Sequence, residues 1–324
     1  MTHQIAYDTS KDIFGTRRNI DLPYCVVRDS CHPGPHIIIL AATHGNEYGG
    51  VMAMINVINA LETRTINLKQ GKISFILTNP EAFAHNKRFM DTNMNRSFDL
   101  QPPEGSEGER VVEIRNYLNE ISKSRTPDFL LDLHSISVGE FTCAIMPEDK
   151  KSKDITSQIT NLSTRFVFRR DHAPGTSCEE ALRHGIPSAV IECGNHHHSQ
   201  TIQTAQEHII NLLIYFGLID SEKPIHPSES LMTITEYTGI EPIVPDVGFR
   251  WLLASERIYS GSPISQGELY AVSDRGEYRA PVDCTLFIPD PKPHPTDHDA
   301  GFLTTVTSKK RSLAQTAHSI KKRN

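Results

Sequence analysis

The sequence predicts an α/β fold with a mainly parallel sheet flanked by helices, followed by a smaller β-rich domain. Between about residues 20 and 217, short continuous apolar runs alternate with segments of helical periodicity. Strands that are apolar on both faces need helices on both sides, which is typical of parallel sheets. After about residue 222, prolines separate short β-like runs. We therefore predict a first domain over 1–222, a β-rich domain over 223–307 and a basic helical tail over 308–324.

The predicted elements are justified by their apolar patterns and by the residues that end them. Continuous apolar runs that stop at turn residues predict strands at 36–42, 72–78, 129–134 and 188–193. Apolar residues at helical spacing predict helices over 47–61, 107–122 and 203–216. The β-rich part contributes runs such as 231–235 and 284–288. In parallel sheets ligands bind beyond the carboxyl ends of the strands, so polar residues at those ends are candidates for a site.

Composition and charge exclude several classes of function. The 324 residues carry a net charge of -6, so binding of nucleic acid through a basic surface is not expected. No apolar run approaches the roughly 20 residues of a membrane span, and the first residues lack a signal-peptide pattern. The six cysteines are scattered without a C-x-x-C pair, which favours reduced thiols. We therefore expect a cytoplasmic protein with no membrane partner, and a homo-oligomer is left open.

Two strand ends carry groups that suit a metal ion. His44 follows the first buried run, and Glu47 comes three residues later at the start of a helix. His134 lies near the end of a parallel strand and could supply a third ligand, with Asp132 on the same face to orient an imidazole. Two histidines and a carboxylate form a catalytic zinc site with an open position. Each motif alone also fits a helix cap or a structural histidine.

Two further stretches carry charge next to apolar surroundings. The segment 87–98 contains Arg88, Asn95 and Arg96, and guanidinium groups bind carboxylates bidentately; taken alone, it also fits a salt-bridged surface loop. Glu192 ends an otherwise apolar strand. Burial raises the pKa of such a carboxyl and a nearby cation lowers it, so Glu192 is a candidate general base. The alternative is a structural glutamate in an ion pair.

Taken together and in this order, these residues resemble the zinc carboxypeptidase-like hydrolases. The closest branch is the aspartoacylase and succinylglutamate desuccinylase family. The resemblance covers most of residues 36–200, and it rests on the residues and motifs already named together with 78–80, 97–98 and 193–194. It implies a carboxypeptidase-like catalytic domain, one zinc ion per chain, and a small N-acyl amino acid as the substrate.

The resemblance also implies a role for each matched position. His44, Glu47 and His134 would bind the zinc, and the family reaction hydrolyses an N-acyl amino acid by metal-activated water. Glu192 would take a proton from the attacking water and pass it to the leaving amine. Arg88 would stabilise the oxyanion. The substrate carboxylate would be held by Asn95 and Arg96.

Departures from the family pattern limit the prediction of a substrate. Asn93 stands where Asp is usual, and Met94 stands where Leu is usual. Aspartoacylase uses an additional arginine before its catalytic glutamate, whereas this chain has Glu179, Glu180 and Ala181 there, with Arg183 slightly displaced. The resemblance therefore supports the reaction class more than N-acetylaspartate as the substrate.

Two other functions remain open at this point. A metallocarboxypeptidase that removes an acidic C-terminal residue would share the catalytic apparatus, and it would differ by an open groove at the β-rich domain. A non-catalytic scaffold is disfavoured because every proposed position carries a competent residue. The three histidines 196–198 predict a polar loop at the pocket rim, and Cys193 is predicted to point into the core, away from Glu192.

Overall fold

The computed structural model describes residues 2–15, 21–137, 139, 141–160, 162–168, 174–220, 231–293 and 300–313. The strands, in chain order, are β1 (Cys25–Asp29), β2 (His36–Ala41), β3 (Lys72–Leu77), β4 (Phe129–Ile136), β5 (Cys143–Pro147), β6 (Thr164–Phe168), β7 (Ser188–Asn195), β8 (Leu231–Pro242), β9 (Arg250–Trp251), β10 (Pro263–Ile264), β11 (Leu269–Ser273), β12 (Gly276–Arg279), β13 (Cys284–Phe287) and β14 (Phe302–Leu313). The α-helices are α1 (His3–Ser10), α2 (Tyr48–Glu62), α3 (Pro80–Ala84), α4 (Ser106–Ser124), α5 (Lys150–Ile159), α6 (Ser177–Arg183) and α7 (Gln200–Tyr215).

A large mixed sheet organises the chain, and its centre is parallel. The strand order is β1-β3-β2-β4-β7-β5-β6-β8-β14-β13-β10. Strands β3, β2, β4 and β7 run parallel to one another, β5 is antiparallel to β7, and β6 and β8 then run parallel to β5. This arrangement confirms the predicted fold class, a parallel-centred sheet followed by a β-rich region.

Helices cover both faces of the parallel centre, which explains why its strands read as continuous apolar runs. Along β2, Ile37 and Ile39 pack under α2 and α7, whereas Ile38 and Leu40 pack under α4. Every one of these side chains is almost fully buried. Alternate residues of a strand point to opposite faces, so a strand covered on both sides must be apolar at each position. Within the described residues, no helix has both the length and the apolar character needed to cross a bilayer.

The β-rich part continues the main sheet and adds a second, smaller one. Strand β8 pairs with β6, and β14 pairs with β8 along its whole length. The small sheet has the order β12-β11-β9 and encloses its own apolar cluster around Tyr270, Ala271 and Leu286. The predicted boundary between residues 222 and 223 lies outside the described residues.

The prediction of a helical tail is wrong for residues 308–313. They form the end of β14 and pair in register with the start of β8, from Ser308 opposite Glu236 to Leu313 opposite Leu231. The physical reason is the available partner strand, because a ladder of backbone hydrogen bonds with β8 replaces those that a helix would make. Residues 314–324 of the predicted tail lie outside the described part of the chain.

Candidate active site

The turn after β2 places the first two predicted ligands. Ala42 adopts a left-handed backbone conformation with φ of 55°, so the chain leaves the strand sharply before His44. The Gly45 amide donates to the carbonyl of Arg88 at 3.1 Å. A Cβ atom added at Gly45 would lie only 2.2–2.5 Å from backbone atoms of α3. Only glycine allows this close approach. Glu47 then precedes the first residue of α2.

The structure brings His44, Glu47 and His134 together. A nitrogen of each histidine and a carboxylate oxygen of Glu47 lie within 4.8 Å of one another, and all three residues are buried. Nδ1 of His44 is 2.7 Å from Oε1 of Glu47, and Nδ1 of His134 is 3.2 Å from Oε2. The amide of Ser135 also donates to Oε2 of Glu47 at 2.9 Å. Both imidazoles therefore present Nδ1 to the carboxylate of Glu47.

Each imidazole has an oxygen beside its other nitrogen. Nε2 of His44 is 3.2 Å from Oδ1 of Asn93, and Nε2 of His134 is 3.1 Å from Oδ2 of Asp132. Metal-ligating histidines usually donate their second N–H to a nearby oxygen, which fixes the tautomer and aims the free nitrogen at the ion. The donor set of two imidazole nitrogens and a carboxylate therefore fits Zn²⁺. Asn93 makes this contact although it departs from the family's usual aspartate.

Asp132 is a completely buried carboxylate whose hydrogen bonds hold it in place. Thr43 Oγ1 donates to it at 2.9 Å and Ser177 Oγ at 2.6 Å, in addition to the contact with His134. Although burial raises the pKa of Asp132, the nearby His134 and the hydroxyl donors lower it more. Although burial lowers the pKa of His134, the charges of Asp132 and Glu47 raise it well above its usual range. The cluster thus carries negative charge that a cation can neutralise.

Glu192 lies directly beside His44, Glu47 and His134, which together form the metal-suited cluster. It is the register partner of His134 across the parallel pair β4 and β7. Its side chain is buried, and its Oε2 atom meets no hydrogen-bond partner among the described residues. Burial raises the pKa of Glu192 to about 7. A carboxylate with an uncommitted oxygen and a pKa near neutrality can accept and release a proton.

The segment 87–98 supplies the cationic wall. Arg88 is about half exposed, and its Nη1 lies 3.6 Å from Oε1 of Glu47. Asn95 is buried, and its Oδ1 accepts a hydrogen bond from the amide of Ser177 at 3.0 Å, which orients the amide group of its side chain. The guanidinium carbon of Arg96 lies 5.8 Å from the ring centroid of Phe302. All three predicted residues line the same cavity as the metal-suited cluster.

Glu107 is a buried residue whose role the sequence does not predict, because its pattern indicates only the start of an amphipathic helix. Its carboxylate accepts hydrogen bonds from the backbone amides of Met90, Asp91 and Thr92 at 2.6–3.3 Å, and from Asn79 Nδ2. Burial raises the pKa of Glu107, but these hydrogen-bond donors lower it by more, so the pKa lies below its usual value and the carboxylate stays ionised. This carboxylate therefore fixes the backbone that carries Arg88. The signal in the sequence was an acidic residue in the first turn of a helix.

The remaining predicted residues divide between the cavity and the scaffold. His196 lines the cavity and is buried, whereas His197 and His198 are exposed, so only the last two fit a polar rim. Cys193 is buried in the core, as predicted. Arg183 pairs with Glu179 and Glu180 and donates to the carbonyl of Phe98, so it braces the scaffold.

The site lies in a cavity of about 600 Å³, which both parts of the chain enclose. The β-rich part contributes Tyr259, Phe287, Ile288, Asp290 and Phe302 to its wall. Sequence reasoning did not find Tyr259, which is half exposed on an irregular loop. Cavities of this size suit small molecules.

Comparison with known proteins gives the family. The sequence profile described as "Succinylglutamate desuccinylase/Aspartoacylase catalytic domain" matches residues 33–216, more than half of the chain. Similar curated proteins include the human N-acyl-aromatic-L-amino acid amidohydrolase (carboxylate-forming), 24% identical over 48% of this chain and 52% of that protein. Mouse aspartoacylase is 29% identical over 43% of this chain and 45% of its own length. The chain thus matches about half the length of these curated relatives.

Solved structures support the same fold over more of the chain. Succinylglutamate desuccinylase from Vibrio cholerae superposes with a TM-score of 0.69 at 16% identity. The superposition covers 88% of this chain and 85% of the Vibrio cholerae chain. The ectoine utilization protein EutE (DoeB) from Ruegeria pomeroyi has a TM-score of 0.60 at 19% identity, with 87% of each chain covered. At these identities the likeness concerns the fold. Together with the profile match, it shows that this chain belongs to the succinylglutamate desuccinylase/aspartoacylase family.

Proposed function

We propose that this protein is a zinc-dependent amidohydrolase that cleaves the amide bond of a small N-acyl amino acid. The observation that carries the proposal is the convergence of His44, Glu47 and His134 beside the buried carboxylate of Glu192. The similar amidohydrolases and aspartoacylases named above support the reaction class. We further propose that the enzyme acts in the cytoplasm.

The residues divide the chemical work of hydrolysis. His44, Glu47 and His134 would hold the Zn²⁺, and a bound Zn²⁺ polarises the amide carbonyl and makes water a better nucleophile near neutral pH. Glu192 takes a proton from the attacking water and transfers it to the leaving nitrogen. An amide nitrogen is a poor leaving group until it is protonated, so the second transfer completes the cleavage.

The arginines of the segment 87–98 complete the site. Arg88 places its guanidinium next to the carboxylate of Glu47, where it can stabilise the negative charge that develops on the carbonyl oxygen. Arg96 and the amide nitrogen of Asn95 bind the carboxylate of the amino-acid half and orient the substrate. The wall that the β-rich part adds to the cavity favours a small substrate over a peptide chain.

The experiment that tests the proposal combines metal analysis with an assay of amine release. The substrates are a panel of N-acyl amino acids, with short peptides that end in an acidic residue alongside. We expect about one zinc per chain and activity that a chelator removes. Activity on the peptides alone would replace the proposal with a metallocarboxypeptidase.

The variant Glu192→Gln separates the base from the metal site. It should keep its zinc and lose about 10²–10⁴-fold in kcat, the usual contribution of a general acid or base. Glu207→Gln, on the exposed face of α7, is the matched control and should retain full activity. Undiminished hydrolysis by Glu192→Gln would refute the assigned mechanism.

A further inference from the structure

We infer that the cavity contains an apolar subsite which binds a large hydrophobic or aromatic side chain in the amino-acid half of the substrate. The inference rests on the proposed function, since it assigns one half of an N-acyl amino acid to this subsite. It concerns substrate selection, which the family alone does not settle. The subsite is formed by side chains of β5, β6 and β7 and by phenylalanines of the β-rich part.

A row of apolar side chains runs across three adjacent strands, starting beside Glu192. Val190 lies two residues before Glu192 on β7, so both side chains point to the same face. Ile145 of β5 is the register partner of Val190, and Phe166 of β6 is the register partner of Ile145. All three side chains line the cavity. Because residues i and i+2 of a strand are roughly 7 Å apart, the row begins within one side-chain length of the reacting bond.

Phenylalanines from the β-rich part close the row from the opposite side. The ring of Phe287 stacks on Phe166 with 4.6 Å between centroids and 17° between planes. Phe302 lies 5.7 Å from Phe166, and Phe141, which precedes β5 in the first part of the chain, lies 5.8 Å from Phe287. Together with Phe168, these rings form one apolar cluster that also lines the cavity. Such a wall offers dispersion contacts and edge-to-face positions to an aromatic group.

Among the described residues that line the cavity, no cation remains to pair with an acidic side chain in the subsite. Among the described lining residues, the arginines are Arg88, which lies beside Glu47, and Arg96, which the proposed function assigns to the α-carboxylate. The charged residue nearest in sequence to the Phe287 wall is Asp290, which is itself acidic. An ionised carboxylate moved from water into this row would lose its hydration without gaining a partner. The charges of the described lining residues therefore select against acidic side chains.

The position of Arg96 identifies which half of the substrate lies over the row. Its guanidinium carbon is 5.8 Å from the ring centroid of Phe302, so the carboxylate-binding group is next to the apolar wall. The α-carboxylate and the side chain of an amino acid share one carbon atom. A substrate whose carboxylate is on Arg96 thus directs its side chain towards the rings, and its acyl group lies beyond the scissile bond.

A substrate comparison on the zinc-loaded enzyme tests the inference. We expect kcat/KM for N-acetyl-L-phenylalanine to exceed that for N-acetyl-L-alanine by about 30-fold or more, which is about 2 kcal/mol at 1.4 kcal/mol per tenfold. N-acetyl-L-aspartate should be no better than N-acetyl-L-alanine. A preference for N-acetyl-L-aspartate would overturn the inference. A preference for N-phenylacetyl-L-alanine over N-acetyl-L-phenylalanine would overturn it as well, because the acyl group would then occupy the row.

Variants of the wall give a second test. Phe302→Ala should lower the phenylalanine-to-alanine ratio of kcat/KM by about tenfold, or about 1.4 kcal/mol. Phe216→Ala, which truncates another half-buried ring that does not line the cavity, should leave the ratio unchanged. The ratio cancels any effect on Arg96, since both substrates carry the α-carboxylate. Ile145→Lys introduces a cation and should raise the ratio of N-acetyl-L-aspartate to N-acetyl-L-phenylalanine at least tenfold; an unchanged ratio in both wall variants would overturn the inference.

Binding measurements separate the inference from the proposed function. Thermal stabilisation of the zinc-loaded protein by L-phenylalanine and by L-aspartate reports the subsite without turnover. Greater stabilisation by L-phenylalanine with no hydrolysis of any N-acyl amino acid would support the subsite and refute the proposed function. Hydrolysis of N-acyl amino acids with greater stabilisation by L-aspartate would support the proposed function and refute the apolar subsite.

Discussion

Replacing Asp132 with asparagine tests whether the buried carboxylate behind His134 serves the metal site. Asp132 accepts hydrogen bonds from Thr43 and Ser177 and lies 3.1 Å from Nε2 of His134. Asp132→Asn keeps the size of the side chain but removes its charge, and it places an NH₂ group where an acceptor was required. His134 therefore loses the partner that fixes its tautomer and increases its basicity.

The expected effect is a loss of zinc affinity and a change in the titration of His134. Removing a carboxylate that orients a ligating histidine usually weakens metal binding about 10–100-fold, which corresponds to about 1.4–2.8 kcal/mol. In the metal-free protein, the pKa of His134 is raised by Asp132 and Glu47 and lowered by burial. Without the charge of Asp132, that pKa should fall.

Competition with a chelating dye of known zinc affinity measures the first effect, and NMR titration of the metal-free protein measures the second. Asp128→Asn is the matched control, because Asp128 lies immediately before the same strand and accepts hydrogen bonds from the His36 amide and Arg125. It should bind zinc as the wild type does. Zinc affinity within about threefold of the wild type in Asp132→Asn would refute the reasoning, since the assigned role requires at least tenfold.

Three further predictions concern the frame of the site. Glu107→Gln should lower kcat/KM at least tenfold with little change in zinc affinity. It should also lower the free energy of unfolding by about 1–3 kcal/mol, because buried amides lose their acceptor. Exposed Glu109→Gln is the control, and equal behaviour of the two variants in activity assays and urea denaturation would contradict this role of Glu107. Gly45→Ala should abolish zinc binding or folding, because the added Cβ would lie 2.2 Å from the backbone of α3. Gly15→Ala, whose Cβ would meet no described atom within 4 Å, should be neutral. Zinc titration and the Tm check both variants. In the metal-free protein the pKa of Glu192 is about 7, which is above its value in the unfolded chain. Between about pH 4.5 and 7, Glu192 therefore holds a proton in the folded protein that it releases in the unfolded chain. The free energy of unfolding thus falls as the pH rises through this range. Glu192→Gln should remove that fall, worth roughly 3 kcal/mol, and urea denaturation at pH 5 and 8 that shows equal pH dependence in both proteins would reject the burial argument.

The sequence by itself determined the parallel-centred fold and the groups at its strand ends. Apolar runs and helical periodicity depend on near neighbours in the chain, so β2, β4 and β7 were predicted within a few residues of their limits. The rule that ligands bind beyond the carboxyl ends of parallel strands then directed attention to His44, His134 and Glu192. The resemblance to a family supplied the proposed role of each group.

Only the tertiary structure decided how these groups are supported. Asn95 accepts a hydrogen bond from Ser177, which lies 82 residues away, and Glu107 binds the backbone of residues 90–92. Such contacts have no periodic signature, because they depend on which loops meet in space. The predicted helix over 308–313 failed for the same reason: its backbone hydrogen bonds go to a strand that local pattern cannot reveal.

The apolar subsite shows most clearly which features depend on the tertiary structure and not on the local sequence. Each of Val190, Ile145 and Phe166 reads in the sequence as an ordinary core residue of its own strand. They form a row beside Glu192 only because β5 lies between β7 and β6 and runs antiparallel to β7. Strand order is set by packing between segments far apart in the chain, whereas local patterns record the preferences of neighbours. The candidate groups at the strand ends could therefore be predicted from the sequence, whereas the proposed apolar subsite could be seen only in the folded chain.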